Sequence, residues 1–329
     1  MTVALDDGEQ ASRAAAFARQ INLAVVVLLV FYVAVGFLQP SYLEPAGAMN
    51  FLRRAAPLAI LASGQVFVLV SGGFDLSVGS LVTITVIGGS MLTANDPAKT
   101  WWAIGLLYAI GLFVGLINGA IVAYLKTPSF IATLGTLLSV DGAAQMWCGG
   151  APRGYLPDNF RMFGRFMFHD VPFVKVFPLA VVVLGVMAAF AWWGLHGTVF
   201  GRRVLAVGDN ARAARLAGVK VEPVRLGVFV ISALSAVTAG VMLGGFGGVS
   251  TDVGLGLELQ SIAACVVGGV QLMGGRGTVV GAVAGALTLT ALFTLLTLLG
   301  LPQPLKESAQ GLILIAAVAF GAWHRRRAR

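Results

Sequence analysis

The sequence predicts an all-α polytopic membrane protein of about ten transmembrane helices, some of them broken. Its residues are 58% hydrophobic and only 11% charged, whereas an ordinary soluble domain carries about 25% charged residues. Segments of 17 or more residues with almost no charge recur along the chain, and each is long enough to cross a hydrocarbon core of about 30 Å. Most side chains are therefore expected to contact lipid or other helices.

Ten hydrophobic runs give the expected spans. They cover residues 22–38, 55–71, 76–94, 101–124, 129–148, 174–195, 225–245, 257–273, 277–299 and 305–323. The first run is interpreted as a span and not as a cleaved signal, because about twenty polar or alanine-rich residues precede it. Glycine interrupts the chain at residues 72–75 and 274–276. The runs beside these positions are predicted to be broken or re-entrant helices.

The basic residues predict the orientation in the membrane. Alternate loops of a ten-span chain divide the 22 Lys and Arg residues 14 to 8, and the richer side is expected to be cytoplasmic. The cytoplasmic parts are then an N-terminal tail of residues 1–21, a loop of residues 196–224 and a basic tail of residues 324–329. A single transmembrane domain covers residues 22–323. Residues 149–173 form an extracytoplasmic loop, which is either a docking surface or an ordinary irregular connection.

Several function classes are not favoured by the sequence. The net charge of +8 does not indicate nucleic-acid binding, because the basic residues lie at helix ends and in short loops, where membrane orientation explains them. Cys148 and Cys265 stand alone in apolar runs and the three His residues are scattered, so no metal site or cofactor is predicted. The chain has neither a phosphate-binding loop of the G-x-x-x-x-G-K-[ST] type nor a catalytic motif. An enzyme is therefore not predicted, and any ATP would be bound by another chain.

The loop of residues 196–224 contains a short helix with readable ends. Asp209 or Asn210 can cap its first turn, and Gly218 can end it in the left-handed conformation. Its small side chains are expected to form a smooth surface that fits a groove on a partner: Ala213, Ala214, Leu216 and Ala217. The candidate contact residues of this coupling helix are Asn210, Ala213, Ala214, Arg215 and Gly218. The alternative is a helix that lies passively at the membrane interface.

Carboxylates inside apolar runs are few, and they are Asp75, Asp141 and Glu258. A carboxylate at mid-membrane costs at least about 2.5 kcal/mol on insertion scales, so it is expected to face a cavity, a partner or water. Asp75 follows a glycine break and precedes Ser77. It is predicted either to offer hydrogen bonds to a polyhydroxylated solute or to cap the next helix.

Glycine spacing predicts close helix packing. Small residues recur at every fourth position as Gly111, Gly115 and Gly119, as Gly240, Gly244 and Gly248, and as Gly277, Gly281 and Gly285. Such ridges let helix backbones approach each other in a membrane. Residues 72–76 also resemble residues 268–272. This similarity indicates either a weak internal repeat, as in many transporters, or a chance match between glycine-rich runs.

Four ordered motifs resemble the permeases of ribose- and xylose-type sugar ABC importers, which are more distantly akin to branched-chain amino acid permeases. The matching segments are GGFDLSVGS at 72–80, TPSFIATLGT at 127–136, FGRR at 200–203 with AVGDNARAARLAGV at 206–219, and ELQSIAACVVGG at 258–269 with GGRGT at 274–278. The chain departs from the family at residues 140–142, where VDG replaces the commoner LRG. The candidate residues of the solute pathway are Gly73, Asp75, Ser77, Asn118, Phe130 and Thr133.

The resemblance implies a transmembrane permease of a bacterial cytoplasmic membrane that moves a monosaccharide or similar polyol by alternating access. It also implies three partners, namely an ATPase subunit, an extracytoplasmic sugar-binding protein and a second permease copy in a homodimer or heterodimer. In this family the helix within residues 196–224 contacts the ATPase. The alternative is an ion-coupled secondary transporter that uses Asp75 or Asp141 as its ion site.

Overall fold

The computed structural model describes residues 24–151 and 154–309 together with 311, 312 and 315. The helices are α1 Ala24–Leu38, α2 Pro45–Val70, α3 Val78–Thr93, α4 Thr100–Tyr124, α5 Ser129–Cys148, α6 Asp158–Arg165, α7 Leu179–Trp192, α8 Val199–Leu216, α9 Val221–Gly247, α10 Leu257–Val267, α11 Val279–Leu298 and α12 from residue 303. Short 3-10 helices precede α2 and α4, and a π-helical turn, Trp193–Gly197, extends α7. The predicted all-α membrane fold is confirmed.

Within the described residues, five helices are both long and apolar enough to cross a membrane. These are Pro45–Val70, Pro97–Tyr124, Leu179–Gly197, Val221–Gly247 and Val279–Leu298. Three other apolar helices, α1, α3 and α10, are shorter than a full span. The count of ten spans therefore stays a prediction. The predicted tails at residues 1–21 and 324–329, and the end of the last predicted span, lie outside the described residues.

Three predicted boundaries were wrong. The second span starts at Pro45 instead of residue 55, because Arg53 and Arg54 lie inside α2 and not in a loop before it. The eighth ends at Val267 instead of residue 273, since Gly268 and Gly269 stop the helix. The sixth starts at Leu179 instead of residue 174 because a hairpin occupies the preceding residues.

The segment predicted as an extracytoplasmic loop has regular structure of its own. It contains α6 and the first strand of an antiparallel hairpin, β1 Met167–Val171 and β2 Lys175–Pro178. The register pairs Met167 with Pro178 and Phe168 with Phe177. The hairpin leads into α7.

The α9 helix lies at the centre of the bundle. It packs along α4 and also contacts α2, α3, α6 and α8. Its first residues lie beside α8 and its last residues beside α6, and its 27 residues span about 40 Å at 1.5 Å per residue. We therefore call the two ends of the bundle the α8 end and the α6 end.

Glycines on α4 allow its close contact with α9. A Cβ added at Gly115 would lie 2.9 Å from the Cα of Val230, and one at Gly119 would lie 2.7 Å from the Cα of Leu226. A Cβ at Gly111 would overlap Val237. The predicted glycine ridge on this helix is confirmed. In the second ridge, Gly248 has no atom within 4 Å of an added Cβ.

We expect Gly119→Ala to lower the thermal stability of the protein. The added methyl group meets the backbone of α9, which cannot rotate away, and such overpacking costs about 1–3 kcal/mol. The better helix propensity of alanine offsets at most about 1 kcal/mol of this destabilisation. Thermal unfolding in detergent measures the difference. Gly135→Ala on α5 is the control, because no atom lies within 4 Å of its added Cβ, and a melting temperature of the Gly119 variant at or above that of the control would contradict the packing argument.

Candidate functional site: a polar network at a helix break and a helix that touches it

The chain leaves α2 through a left-handed glycine. Gly72 has φ +87°, which glycine adopts without steric cost. The amides of Gly72 and Gly73 donate back to the carbonyls of Leu69 at 2.9 Å and Val68 at 3.0 Å. This is the usual glycine-terminated helix end, in which the last carbonyls are satisfied without water. The seven residues 71–77 then join α2 to α3.

Asp75 lies in this connection and is fully buried. Its Oδ1 accepts hydrogen bonds from the backbone amide of Ser77 at 3.0 Å and from the Ser77 hydroxyl at 2.6 Å. Ser77 directly precedes α3 and already has helical backbone angles, φ −71° and ψ −10°. A bond from Oδ1 to the amide two residues ahead is the kind that an N-cap residue makes, so the predicted capping role is retained beside the predicted contact with a solute.

The second oxygen of Asp75 is left without a donor. Within the described residues Oδ2 has no hydrogen-bond partner. The hydroxyl of Ser232 lies nearby, but it donates to Oε1 of Gln65 at 3.3 Å. A buried carboxylate with an empty acceptor costs free energy unless a donor reaches it.

Polar side chains on four other helices complete a network around this residue. Nδ2 of Asn118 on α4 donates to the Ser77 hydroxyl at 2.9 Å, and the hydroxyl of Thr136 on α5 donates to Oδ1 of Asn118 at 2.6 Å. On the other side, Nε2 of Gln65 on α2 donates to the Asp75 carbonyl at 3.2 Å. We define the Asp75 network as the following residues: Gln65, Asp75, Ser77, Asn118, Thr136 and Ser232.

Two hydroxyl groups of α5 hold the backbone of the connection. The amide of Phe74 donates to the Ser129 hydroxyl at 2.9 Å. The Thr133 hydroxyl lies 3.3 Å from the Phe74 carbonyl as a second acceptor, since its shorter bond, 2.8 Å, goes to the Ser129 carbonyl of its own helix. Side chains of α5 thus satisfy the Phe74 amide and approach its carbonyl where no helix can satisfy them. The connection is fixed between α2, α4, α5 and α9.

The structure brings together most of the residues predicted for the solute pathway. Asp75, Ser77 and Asn118 share the network, and Thr133 bonds to the adjacent carbonyl. Gly73 lies in the same connection. Phe130 does not join them, since 53% of its surface is exposed on the outside of α5.

Sequence reasoning missed other members of this site. These are Gln65, Ser129, Thr136 and Ser232. Each is a polar residue inside a hydrophobic helix, and polar side chains are rare in such helices unless they have partners. Gln65 was the clearest signal in the sequence, because its amide side chain lies inside the apolar run 55–71. The structure buries it fully near the end of α2.

The second glycine break repeats the geometry of the first. Gly269 has φ +85°, and the amides of Gly269 and Val270 donate to the carbonyls of Val266 and Cys265, each at 2.9 Å. Gly269 therefore corresponds to Gly72. The two breaks are alike, but the pairing of Gly72 with Gly268 from the sequence was wrong by one residue, because the left-handed glycine fixes the register.

The two breaks meet at α8. The amide of Gly275 donates to the Val70 carbonyl at 2.9 Å. A Cβ added to Gly208 on α8 would overlap that carbonyl and would lie 2.7 Å from the Gly275 nitrogen, and one added to Gly274 would lie 2.7 Å from the Gly208 carbonyl oxygen. We call these three glycines, Gly208, Gly274 and Gly275, the glycine junction. At this junction, backbone contacts backbone.

The helix predicted in residues 196–224 begins within α8. Asn210 has extended backbone angles, φ −157° and ψ 98°, and divides α8 in two. Its Oδ1 accepts the amides of Arg212 and Ala213, each at 3.0 Å, which confirms it as the cap of the second part. Gly218 ends this part with φ +84°. Arg215 forms an ion pair with Glu222 at the start of α9.

Ala214 does not lie on the surface that was predicted for it. Its side chain is only 6% exposed and belongs to the hydrophobic core. Ala213, Leu216 and Ala217 are exposed, and Leu216 is 84% exposed. The second part of α8 therefore has its outer surface at these three residues, and Ala214 holds it to the bundle.

Comparisons with known proteins define the class of this chain. A family described as "Branched-chain amino acid transport system / permease component" matches residues 47–318. The chain therefore belongs to this family, whose members are multi-pass permease subunits of ABC importers in the inner membrane; the ATPase is a separate subunit, and a substrate-binding protein is a further partner. The class predicted from the four motifs is confirmed.

The similarity to curated relatives covers most of this chain and most of each relative. It is 35% identical to the autoinducer 2 import system permease protein LsrC of Escherichia coli O157:H7 over 304 residues, which are 92% of this chain and 86% of the relative. It is 36% identical to the LsrC protein of Salmonella typhi over 300 residues, which are 91% and 83% of the two chains. No solved structure matches the chain significantly.

We expect Gly208→Ala to disrupt the glycine junction. Its methyl group would overlap the Val70 carbonyl and push α8 away from both breaks, so the melting temperature should fall by several degrees. Thermal unfolding measures this. Gly185→Ala on α7 is the control, since its added Cβ meets no atom within 4 Å. Equal melting temperatures for the two variants would show that the junction is not tightly packed.

Proposed function

We propose that the chain moves a monosaccharide or a similar polyol across the membrane by alternating access, within its ABC importer. Two observations support this solute class. The motifs resemble ribose- and xylose-type permeases, and the relatives are named as permeases of an autoinducer 2 import system. Autoinducer 2 is accordingly one of the solutes to be tested.

The Asp75 network is the observation that carries the proposal. It places a carboxylate with one unused acceptor at a helix break, beside hydroxyl and amide groups of four helices. Sugar hydroxyl groups are donors that match such an acceptor. Asp75 is fully buried in this conformation, so we propose that the pathway opens beside the network when the helices around it separate.

Uptake into membrane vesicles tests the coupling of this transport. We expect radiolabelled ribose, xylose or autoinducer 2 to enter vesicles that hold this chain with its ATPase and binding protein, and to enter only with ATP on the ATPase side. Uptake that follows a proton or sodium gradient without ATP would instead support the ion-coupled transporter. In that case Asp75 would be an ion site.

We expect Asp75→Asn to reduce this uptake at least tenfold while the protein still folds. Asparagine keeps the oxygen that accepts from Ser77 but replaces the free acceptor with a donor. Uptake and melting temperature are measured together. Asp170→Asn is the control, because it makes the same change at an exposed carboxylate of the hairpin, outside the Asp75 network. Uptake by Asp75→Asn at the rate of the control would leave Asp75 with a structural role alone.

We propose that the second part of α8 is the contact with the ATPase. Its surface residues Ala213, Leu216 and Ala217 are exposed at the α8 end. The first part of α8, which joins it at Asn210, touches both glycine breaks through Gly208. A displacement of α8 by the partner would therefore reach the end of α2 directly. Asp75 lies five residues beyond Val70, the residue at the contact.

The coupling contact predicts the effect of a charge at Ala213. Ala213→Glu should abolish ATPase co-purification and solute-stimulated hydrolysis, because an unpaired carboxylate in a close contact costs several kcal/mol. Ala213 is exposed in the permease, so the melting temperature of the variant alone should not change. Ala213→Ser, which keeps the side chain small, should retain both activities. Normal co-purification and hydrolysis with Ala213→Glu would leave α8 as a passive interfacial helix.

The orientation and the dimer are part of the same proposal. We propose that the α8 end and both termini face the cytoplasm, as the 14 to 8 division of basic residues and the positive-inside rule suggest. Labelling of a single cysteine at position 212 from outside intact cells would contradict this. We propose further that two copies pack as a homodimer, with Phe130 in the solute pathway between them.

A further inference from the structure

A cavity of about 550 Å³ lies at the α6 end, away from the Asp75 network. Three parts of the chain line it, namely residues 154–156, the helix α6 and residues 246–249 at and beyond the end of α9. The α6 residues that line it include Arg161 and Arg165. These two residues are four positions apart and so lie on one face of the helix. The volume is in the range of small-molecule sites.

A third arginine stands behind the wall of the cavity. The guanidinium group of Arg53 on α2 lies over the ring of Phe246, 5.4 Å from its centre, and Phe246 lines the cavity. Arg53 is also close enough to Arg165 for their charges to repel each other. Three positive charges are thus gathered around one cavity.

These charges have no anionic partner within the part of the chain that the structure describes. There, the ion pairs join Lys99 to Asp96 and Arg215 to Glu222. The Nε atoms of Arg53 and Arg161 are shielded from solvent and have no acceptor among the described residues. Buried donors and clustered like charges are both unfavourable unless an acceptor of opposite charge is present.

We propose that this cavity binds a phosphate group. A guanidinium group donates two parallel hydrogen bonds to a phosphate or a carboxylate. Two guanidinium groups that line the cavity, with the charge of a third behind its wall, favour the phosphate, because it offers up to two negative charges and at least three acceptor oxygens. The cavity shares no residue with the Asp75 network, and the proposal does not depend on which solute is transported.

The surroundings indicate a phospholipid headgroup as one source of this phosphate. Large aromatic side chains are exposed at the same end of the bundle: Trp101, Trp102, Tyr155 and Phe166. Tyr155 itself lines the cavity, and Trp101 packs edge-on against Phe163 of α6. Exposed Trp and Tyr mark the headgroup level of membrane proteins. A dissolved phosphate or phosphoester is the other source.

Thermal unfolding of the delipidated full-length chain in an uncharged detergent tests the site. It is titrated with inorganic phosphate, with short-chain phosphatidylglycerol, and with sodium chloride at matched ionic strength. We expect phosphate, phosphatidylglycerol or both to raise the melting temperature by several degrees above the chloride control, since a ligand of the folded state stabilises it. Stabilisation by phosphatidylglycerol alone would assign the site to the lipid headgroup, and stabilisation by both would assign it to the phosphate group from either source.

Two double variants with the same loss of charge locate the binding. Arg161→Gln with Arg165→Gln should raise the dissociation constant for the ligand at least about tenfold, because the loss of one charged hydrogen bond lowers the affinity by roughly tenfold. Arg202→Gln with Arg203→Gln, two exposed residues of α8, should leave it unchanged. If the first pair prevents folding, Arg165→Gln alone should weaken binding, since its side chain is exposed at the cavity and is not needed in the core.

Three results would overturn the proposal. In the first, neither phosphate nor phosphatidylglycerol would raise the melting temperature more than chloride does. In the second, both double variants would lose binding equally, which would indicate general electrostatic attraction. In the third, the α6 variants would keep phosphate binding but lose the association with the solute-binding protein. The arginines would then belong to a protein docking surface.

Discussion

A helix that is interrupted inside a membrane exposes backbone amides and carbonyls where no water can satisfy them, and this constraint organises the bundle. At the break after α2, the left-handed conformation of Gly72 lets two amides donate back to the helix. The Ser129 hydroxyl of α5 accepts the Phe74 amide, and the Thr133 hydroxyl approaches the Phe74 carbonyl. Gln65 supplies the donor for the next carbonyl. The break is therefore stable only where α2, α4, α5 and α9 meet, and their packing follows from it.

The same constraint explains why one carboxylate oxygen matters. A buried carboxyl group in this position must be hydrogen-bonded by the protein, and the protein supplies two donors to Oδ1 of Asp75 and none to Oδ2 within the described residues. Ser232 could donate to it by rotating its hydroxyl, but that would release Gln65. The network therefore has two alternative hydrogen-bond arrangements, of which the structure shows the one with Ser232 bonded to Gln65. A solute hydroxyl that supplied the missing donor would favour one of them.

Local signals were predicted well from the sequence because they depend on a few neighbouring residues. The cap at Asn210, the left-handed end at Gly218 and the glycine ridge of α4 are of this kind. Long-range packing was not predictable in this way. Arg53 was placed outside the predicted second span, which began at residue 55. In the structure it lies within α2, and its guanidinium group lies over the ring of Phe246, which is distant in sequence. Ala214 read as surface, and only the position of α8 against the bundle shows that it is buried.

The glycine junction gives the contact between α8 and the breaks an unusual mechanical property. Most helix contacts pass through side chains, which rotate and can absorb a small displacement. At Gly208 the α8 backbone lies directly against the Val70 carbonyl and the Gly275 amide, and those two groups are already bonded to each other. A close-packed interior resists compression, so α8 cannot approach the breaks without moving both. Because Asp75 follows one break and α11 follows the other, a displacement of α8 reaches both of these segments through the same contact.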